Sequence, residues 1–447
     1  MMLPRPDSLP LPDSPAPLAG AEFAAFLRRF DMSASAPLAV AVSGGPDSTA
    51  LAFCLHRWCR AQAPPPSLKA FIVDHGLREN SAAEAVRTKR VLDRIGVPAE
   101  ILPWHHPPVV ARLHETARSA RYRLLAEACR RHGVRDLFLA HQREDQAETI
   151  LMRLAKGSGI DGLAGMAQES RFEDLRLLRP LLHIEKARLV ATCEAAGLSY
   201  VVDPGNASEK FARGRLRRVL PLLAEEGLTV ERLLDLGRRA GDARAALDAA
   251  TAMLLRVATH ADEAGAIHID LGHLRAAPRA IALRALARCL QALHRRDYMP
   301  EHDALLRLHD VLAAEGGAVF TLHGCVTGKS ASEAVIMREL AAISGTPLLE
   351  PGATLAWDSR WTVSLAAGAG QSYAVRPLGN PPHDRLDRLA PGLRRRVPRG
   401  RVRAVLPALW LNGTLAIIPS YPWCPNQGVA SAESMLAWPP PDGAWAA

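Results

Sequence analysis

The sequence predicts an α/β protein in three parts: a parallel-sheet domain, a helical domain, and a small β-rich C-terminal domain. Three observations carry that expectation. In the first half, short apolar runs alternate with amphipathic helical stretches, the pattern of a parallel sheet covered by helices. From Val230 to about Ala314, Leu and Ala recur at spacings of three and four, a helical period. Past Gly316 the texture changes to short β-type runs.

Taken in order, residues 1–19 form a leader, and the Pro-rich stretch Met1–Pro17 is expected to be disordered. Residues 20–222 hold the candidate parallel strands Leu38–Val42, Leu68–Asp74, Ala99–Leu102, Asp136–Ala140 and Leu175–Leu178. Helical patterns run between them, from about Ser48 to Arg60, Ala82 to Ile95, Glu115 to Arg131 and Glu144 to Ala155, and continue over Glu185–Ala196 and Arg213–Leu223. Residues 223–315 form the helical domain. Residues 316–447 hold the runs Ala318–Leu322, Ala334–Met337, Trp361–Leu365, Ala404–Trp410 and Thr414–Ile418.

At 447 residues the chain is too long for one core. No apolar run approaches the ~20 residues of a membrane-spanning helix, and no secretory pattern opens the chain. Seven scattered cysteines, without a CxxC pair, fit a reduced cytosolic protein and argue against a metal or iron–sulfur site. The net charge is +9 and the pI about 9.5. Only six of the 55 basic residues are Lys, so the basic surface is nearly all Arg, which pairs bidentately with phosphate and suits nucleic acid. An Arg-rich, merely solvated surface is the plainer alternative.

The strongest local signal is Ser43-Gly44-Gly45-Pro46-Asp47-Ser48, set between an apolar strand and a helix. Two glycines let the backbone approach an anion, and the helix N-terminus presents its N–H groups to it. Ser43 and Ser48 add hydroxyls, and Asp47 would cap the helix or hold a cation beside phosphates. A second glycine run, Gly324-Cys325-Val326-Thr327-Gly328-Lys329-Ser330, is one residue short of Walker spacing and is expected to be a turn.

In an open parallel sheet the ligand sits beyond the carboxyl ends of the strands. That places His75 and Arg78, in Asp74-His75-Gly76-Leu77-Arg78, beside the loop, and His141 at the end of the fourth strand. Asp145, Glu148 and Thr149 then share one helix face, where carboxylates could hold Mg²⁺ or accept a proton, or simply favour the helix dipole.

Ser43–Ser48 resembles the pyrophosphate loop (PP-loop) of ATP pyrophosphatases, and His141–Met166 is similar to the long signature of the tRNA(Ile)-lysidine synthetases. Val73–Arg78, His114–Tyr122, Asp203-Pro204-Gly205-Asn206, Arg213–Arg217 and Leu220-Pro221 match it too, so the resemblance covers essentially residues 37–223. Two departures stand out. The family commonly has Asp-Asp at Glu144-Asp145, where the charge is kept, and Arg-Asn at Arg213-Gly214, where an amide is lost.

The resemblance implies a PP-loop ATPase domain and a ligase with ATP as substrate and Mg²⁺ beside it, without a metal cluster. ATP would adenylate the C2 carbonyl of the wobble cytidine in an isoleucine tRNA with a CAU anticodon, and free L-lysine would displace AMP to give lysidine. Ser43, Gly44, Gly45, Pro46, Asp47, Ser48 and His75 would bind ATP; Asp47, His141, Asp145 and Glu148 would be catalytic, with Asp47 and Asp145 on Mg²⁺. Arg78, Glu115, Arg118, Arg121, Asn206, Arg213 and Arg217 would meet tRNA or substrate. Asp145 is the first choice as base for lysine.

The segment Arg385–Arg403 carries eight arginines, among them Arg394, Arg395 and Arg396, expected as a tRNA contact of the tail. Trp357 and Trp410 are expected in the core. The alternatives are another PP-loop tRNA-modifying enzyme of thiolase type, an amidotransferase-type synthetase, or a non-catalytic tRNA- or nucleotide-binding protein. Neither choice between monomer and homodimer follows from the sequence.

Overall fold

The computed structural model describes residues 15–33, 36–77, 80–106, 113–201, 212–294, 298–381, 386–387, 389, 393–396, 400–419 and 429–435. The chain divides into two compact units with the border between Arg244 and Ala245.

The first unit contains α1 (Gly20–Leu27), β1 (Leu38–Ala41), α2 (Pro46–Arg60), β2 (Leu68–Asp74), α3 (Ser81–Arg94), β3 (Ala99–Pro103), α4 (Leu113–Arg131) and β4 (Asp136–Phe138). It continues with α5 (Arg143–Ala155), α6 (Ile160–Leu163), β5 (Glu169–Phe172), β6 (Leu175–Leu178), α7 (Lys186–Ala195), α8 (Ala212–Glu225) and the start of α9 (Val230–Ala258). The strands form one sheet in the order β3-β2-β1-β4-β6-β5, parallel except for the edge strand β5. Residues on β1 alternate between its two faces: Leu38 and Val40 join the core under α1, α2 and α7, while Ala39 joins the one under α4. Burial on both faces explains why β1 reads as a continuous apolar run. The sheet order turns at β1, which pairs with β2 on one side and β4 on the other. A ligand crevice opens at such a reversal, beyond the carboxyl ends of the two strands.

Several expectations change in the structure. The antiparallel strand β5 was not foreseen; its burial alternates between exposed and intermediate, so it lacks an apolar face to announce it. Within the leader, residues 1–14 lie outside the described residues, but Leu18 is buried and its N–H donates to Thr192 Oγ1 at 2.8 Å, while the Ala16 carbonyl accepts from Arg188. The stretch expected to be helical from Val230 to Ala314 contains two strands, β7 (Thr259–Ala261) and β8 (Ile267–Asp270). Isoleucines alternate with polar residues in Ile267-His268-Ile269-Asp270, a two-residue period hidden between helices. The glycine run Gly324–Ser330 is a strand, as described next.

The second unit continues with α10 (Leu271–Ala276), α11 (Arg279–Leu293), α12 (His302–Ala313), β9 (Ala318–Leu322), β10 (Cys325–Lys329) and β11 (Glu333–Arg338). Its first sheet runs β7-β8-β11-β10-β9, so strand pairing spans the expected domain border at 315/316. Apolar residues of β8 and β11 pack on α10, α11 and α12. The run from Gly324 supplies the interior strand β10, paired on both edges, with Gly324 in the hairpin turn at φ +67°. Lys329 Nζ donates to the Val311 and Ala314 carbonyls, so it belongs to the fold and not to a phosphate loop.

Two smaller sheets follow, built from β12 (Leu348–Leu349), β13 (Thr354–Trp357), β14 (Trp361–Leu365), β15 (Tyr373–Pro377), β16 (Pro407–Leu411), β17 (Thr414–Ile417) and β18 (Ala430–Ser434). Ala404 ends a helical turn, Arg401–Ala404, so the strand expected from Ala404 starts at Pro407. Trp357 is buried in this core and Trp410 packs partly buried against it, as the sequence suggested. No helix among the described residues is long and apolar enough to cross a membrane.

Candidate functional site

The loop after β1 is held by its own backbone. Gly44 has φ +88°, and a Cβ there would lie 2.4 Å from Thr88 Oγ1, so glycine is obligatory. Its carbonyl accepts from the Val201 N–H at 2.8 Å. Gly45 is the N-cap of α2 with φ −71°, a value open to any residue, and a Cβ would meet only Ser43 Oγ, at 3.8 Å. The fold thus does not need glycine at Gly45, and the space over it is open to an approaching group. Ser48 Oγ ties the loop together, accepting the Ser43 N–H at 3.1 Å and donating to the Gly45 carbonyl. Pro46 at the first helical position is pre-set for α2, which points its N-terminal N–H groups at the crevice.

Asp47 follows on that first turn. It is half-buried, and its Oδ1 is buried with no hydrogen-bond partner in the structure. Burial pushes its pKa up to about 6; Asp145 and Glu144 push the same way against Lys186 and Arg217. These causes also locate the group: Asp47 shares its field with the start of α5, the start of α7 and the middle of α8.

On α5, Gln142 caps the helix by accepting from the Glu144 and Asp145 N–H groups, and Asp145 Oδ2 accepts the Gln142 N–H at 3.3 Å, a reciprocal capping box. Asp145 Oδ1 also lies 3.6 Å from Arg217 Nη2. Glu148, only 1% exposed, is gripped by Arg217 through Nε and Nη2. Glu144 receives the Lys186 N–H and so caps α7 from outside. The two carboxylate duties weighed from sequence, helix capping and site chemistry, therefore fall partly on the same side chains. His141 is half-buried between β4 and α5. A cavity of about 420 Å³ is lined by Gln142, Glu144, Glu148, Lys186, Arg217, Leu220, Pro221, Ala224 and Val230.

The other expected residues divide by place. His75 follows β2, and its Nδ1 accepts the Leu77 N–H at 3.2 Å, which leaves the ring proton on Nε2. Asp74 accepts from Gly76 N and Ser81 Oγ, so it holds the loop and the start of α3. Arg118 and Arg121 are exposed on α4 and lie over the Tyr122 ring, at 5.1 and 5.7 Å. Arg118 also shares a positive field with Arg153 and Arg179, both held by backbone carbonyls. Arg395 is exposed. Arg78 and Asn206, and the side chains of Glu115, Arg213, Arg394 and Arg396, lie outside the described residues.

Gln142, Glu144 and Lys186 escaped the sequence reading as site residues. A signal existed for Lys186: it opens the helix after β6, the neighbour of β4, and so faces the same carboxyl edge.

Hard carboxylate oxygens of Asp47 and Asp145 suit Mg²⁺, and the bare Asp47 Oδ1 fits a cation. By contrast, the described cysteines are all buried, and burial raises the pKa of the nearest, Cys193, to about 12.

The chain is similar to known proteins at two levels. A family described as a PP-loop domain matches residues 20–223. The tRNA(Ile)-lysidine synthase of Methylobacterium nodulans is 46% identical over 294 residues, covering 64% of this chain and 84% of that protein. That of Methylobacterium sp. (strain 4-46) is 48% identical over 277 residues, covering 61% and 78%. The tRNA(Ile)-lysidine synthase of Bradyrhizobium diazoefficiens is 38% identical over 341 residues, covering 75% and 89%.

Proposed function

The chain belongs to the tRNA(Ile)-lysidine synthase family of PP-loop proteins, and we propose that it joins free L-lysine to C2 of the wobble cytidine of isoleucine tRNA with a CAU anticodon. The observation that carries this reading is the meeting of the Gly44-Gly45 loop and Asp47 with the α5 carboxylates at the sheet's reversal point. The cytidine C2 oxygen attacks the α-phosphorus of ATP and pyrophosphate leaves. The ε-amine of lysine then attacks C2, and AMP leaves.

In this reading the α2 N-terminus, Ser43 and Ser48 bind the phosphates. Asp47 would hold Mg²⁺, which when bound would neutralise charge on the phosphates. Lysine occupies the cavity, where Glu144 would favour its cationic groups and Lys186 and Arg217 its carboxylate. Its amine must lose a proton: at pH 7 the neutral form costs about 4.6 kcal/mol against a pKa of ~10.4. Asp145 is the base we assign. Residues 20–222 act as the catalytic domain, while the chain beyond them, with Arg394, Arg395 and Arg396, holds the tRNA. The buried, high-pKa thiol of Cys193 disfavours sulfur transfer as the alternative, because a thiolate is the reactive form.

Purified protein given α- or γ-labelled ATP, lysine and the tRNA should release AMP and pyrophosphate. ADP with phosphate as the main products would sink the reading. The base assignment has its own test. Asp145→Asn should still form adenylated tRNA but transfer lysine slowly, with partial rescue from pH 7 to 9, since the neutral amine grows about tenfold per pH unit below ~10.4. Rapid-quench failure to trap the adenylate, without rescue at high pH, would remove Asp145 as the base and assign it to Mg²⁺ binding instead.

A further inference from the structure

The second unit carries a cluster of side chains that the ligase reaction leaves unused. His260 on β7 pairs in register with His268 on β8, and their rings stack at 4.7 Å with an interplanar angle of 13°. Glu333, on β11, points to the same face, because β11 pairs His268 with Val335, two residues on. That face is the one opposite the core: Ile267, Ile269, Ala334 and Ile336 are buried under the helices. One ligand atom from each of His260, His268 and Glu333 lies within 4.8 Å of the others.

The geometry around His268 is more specific than proximity. Its Nε2 lies 3.1 Å from Asp262 Oδ2, and its Nδ1 lies 3.1 Å from Glu333 Oε1. Asp262 is itself fixed, since its Oδ1 accepts the Ala264 and Ala266 N–H groups. A carboxylate that takes the proton of one ring nitrogen leaves the other nitrogen as a lone-pair donor, the arrangement that orients metal-binding histidines. Two ligands of a tetrahedral ion with bonds of about 2.0–2.1 Å stand about 3.3 Å apart. The 3.1 Å between His268 Nδ1 and Glu333 Oε1 is close to that figure, and in the metal-free chain the same pair holds as an ion-pair contact.

We propose that His260, His268 and Glu333 form a binding site for a divalent transition ion of the zinc class, with Asp262 as the positioning residue behind His268. Two imidazoles and one carboxylate suit zinc, and a fourth position faces the cavity of about 580 Å³ lined by Thr259, Asp270, Ser330 and Ser332. Bound there, the ion ties the β7–β8 hairpin to β11, so its role is to brace this unit and not to take part in ligation.

The test is Co²⁺ and Zn²⁺ binding by the untagged full-length protein after treatment with chelator. One equivalent of Co²⁺ should give the intense visible absorption of a tetrahedral site, and Zn²⁺ should displace it. His260→Gln and Glu333→Gln should each remove that absorption. His260 is exposed, so its variant keeps the fold, which an unchanged urea midpoint in chelator would verify. Asp262→Asn should retain the site but weaken binding by roughly 10–100-fold. Absence of the tetrahedral spectrum in the wild type, or equal affinity in wild type and His260→Gln, would overturn the proposal and leave His268 as an imidazole held between two carboxylates.

Discussion

Asp47→Asn should slow adenylation of the tRNA by at least roughly a hundredfold, the scale on which an electrostatic group acts at a transferring centre, while making the ligand-free protein more stable. The two effects share one cause. In the folded chain the Asp47 carboxyl has its pKa raised from 3.8 to about 6, chiefly because burial penalises the charge. Folding therefore favours its neutral form. The stabilisation is fully present below pH 3.8 and is lost as pH rises through about 6, so at pH 7.5 the native protein carries the whole cost. At about 1.4 kcal/mol per pKa unit the ceiling is near 3 kcal/mol, and partial exposure brings the expected gain from the neutral isostere to roughly 1–2 kcal/mol. Thermal unfolding without ATP and Mg²⁺ should show Asp47→Asn melting a few degrees higher at pH 7.5, with the gap closing towards pH 4. A lower melting point, or an unchanged adenylation rate, would remove Asp47 from the phosphate–metal unit.

Arg217→Ala should be the most destabilising single change in the site. Glu148 is 1% exposed and lies against the Arg217 guanidinium, which also neighbours Asp145. Breaking a buried pair strips a desolvated carboxylate of its counter-charge, a loss of about 3–5 kcal/mol where burial is complete. Arg217 is about one-third exposed, which puts the expectation near the lower end. Adding Glu148→Gln should recover part of that loss, because the amide carries no charge to compensate. Urea unfolding of the two single variants and the double variant measures the coupling. Strict additivity would mean that the guanidinium serves substrate or tRNA and contributes little to the fold. This also refines the reading of Arg217 as a tRNA contact: its guanidinium is engaged inside the catalytic unit.

The first unit was legible because its signals are local. A strand, a Gly-Gly turn and a Pro-started helix fix the loop from residue 43 to residue 48 within one stretch of chain, and the two-face burial of β1 follows from its unbroken apolar run. His141, Asp145 and Glu148 were legible by position, since the carboxyl edge of a parallel sheet is set by strand direction. Glu148 and Arg217, 69 residues apart, were each legible, but their pairing was not. The strands β7 and β8 were missed for a similar reason. They are short and flanked by long helices, and their partner β11 comes more than 60 residues later, so sheet formation rests on a contact that no local window contains.

By itself the sequence determined the sheet's parallel first half, the phosphate loop with its helix, and the edge of the sheet where chemistry must occur. Periodicity, glycine freedom and strand polarity act over a few residues and leave a direct trace. Only the tertiary structure decided the charges' partners. Asp47 owes its raised pKa to burial and to the α5 carboxylates, against the opposing pull of Lys186 on α7 and Arg217 on α8. Lys186 reaches that field because β6 lies beside β4. His268 sits between Asp262 and Glu333 only after three strands are in register. Electrostatic interaction falls with distance through space and takes no account of separation along the chain, so these groups acquire their properties only when the fold brings them together.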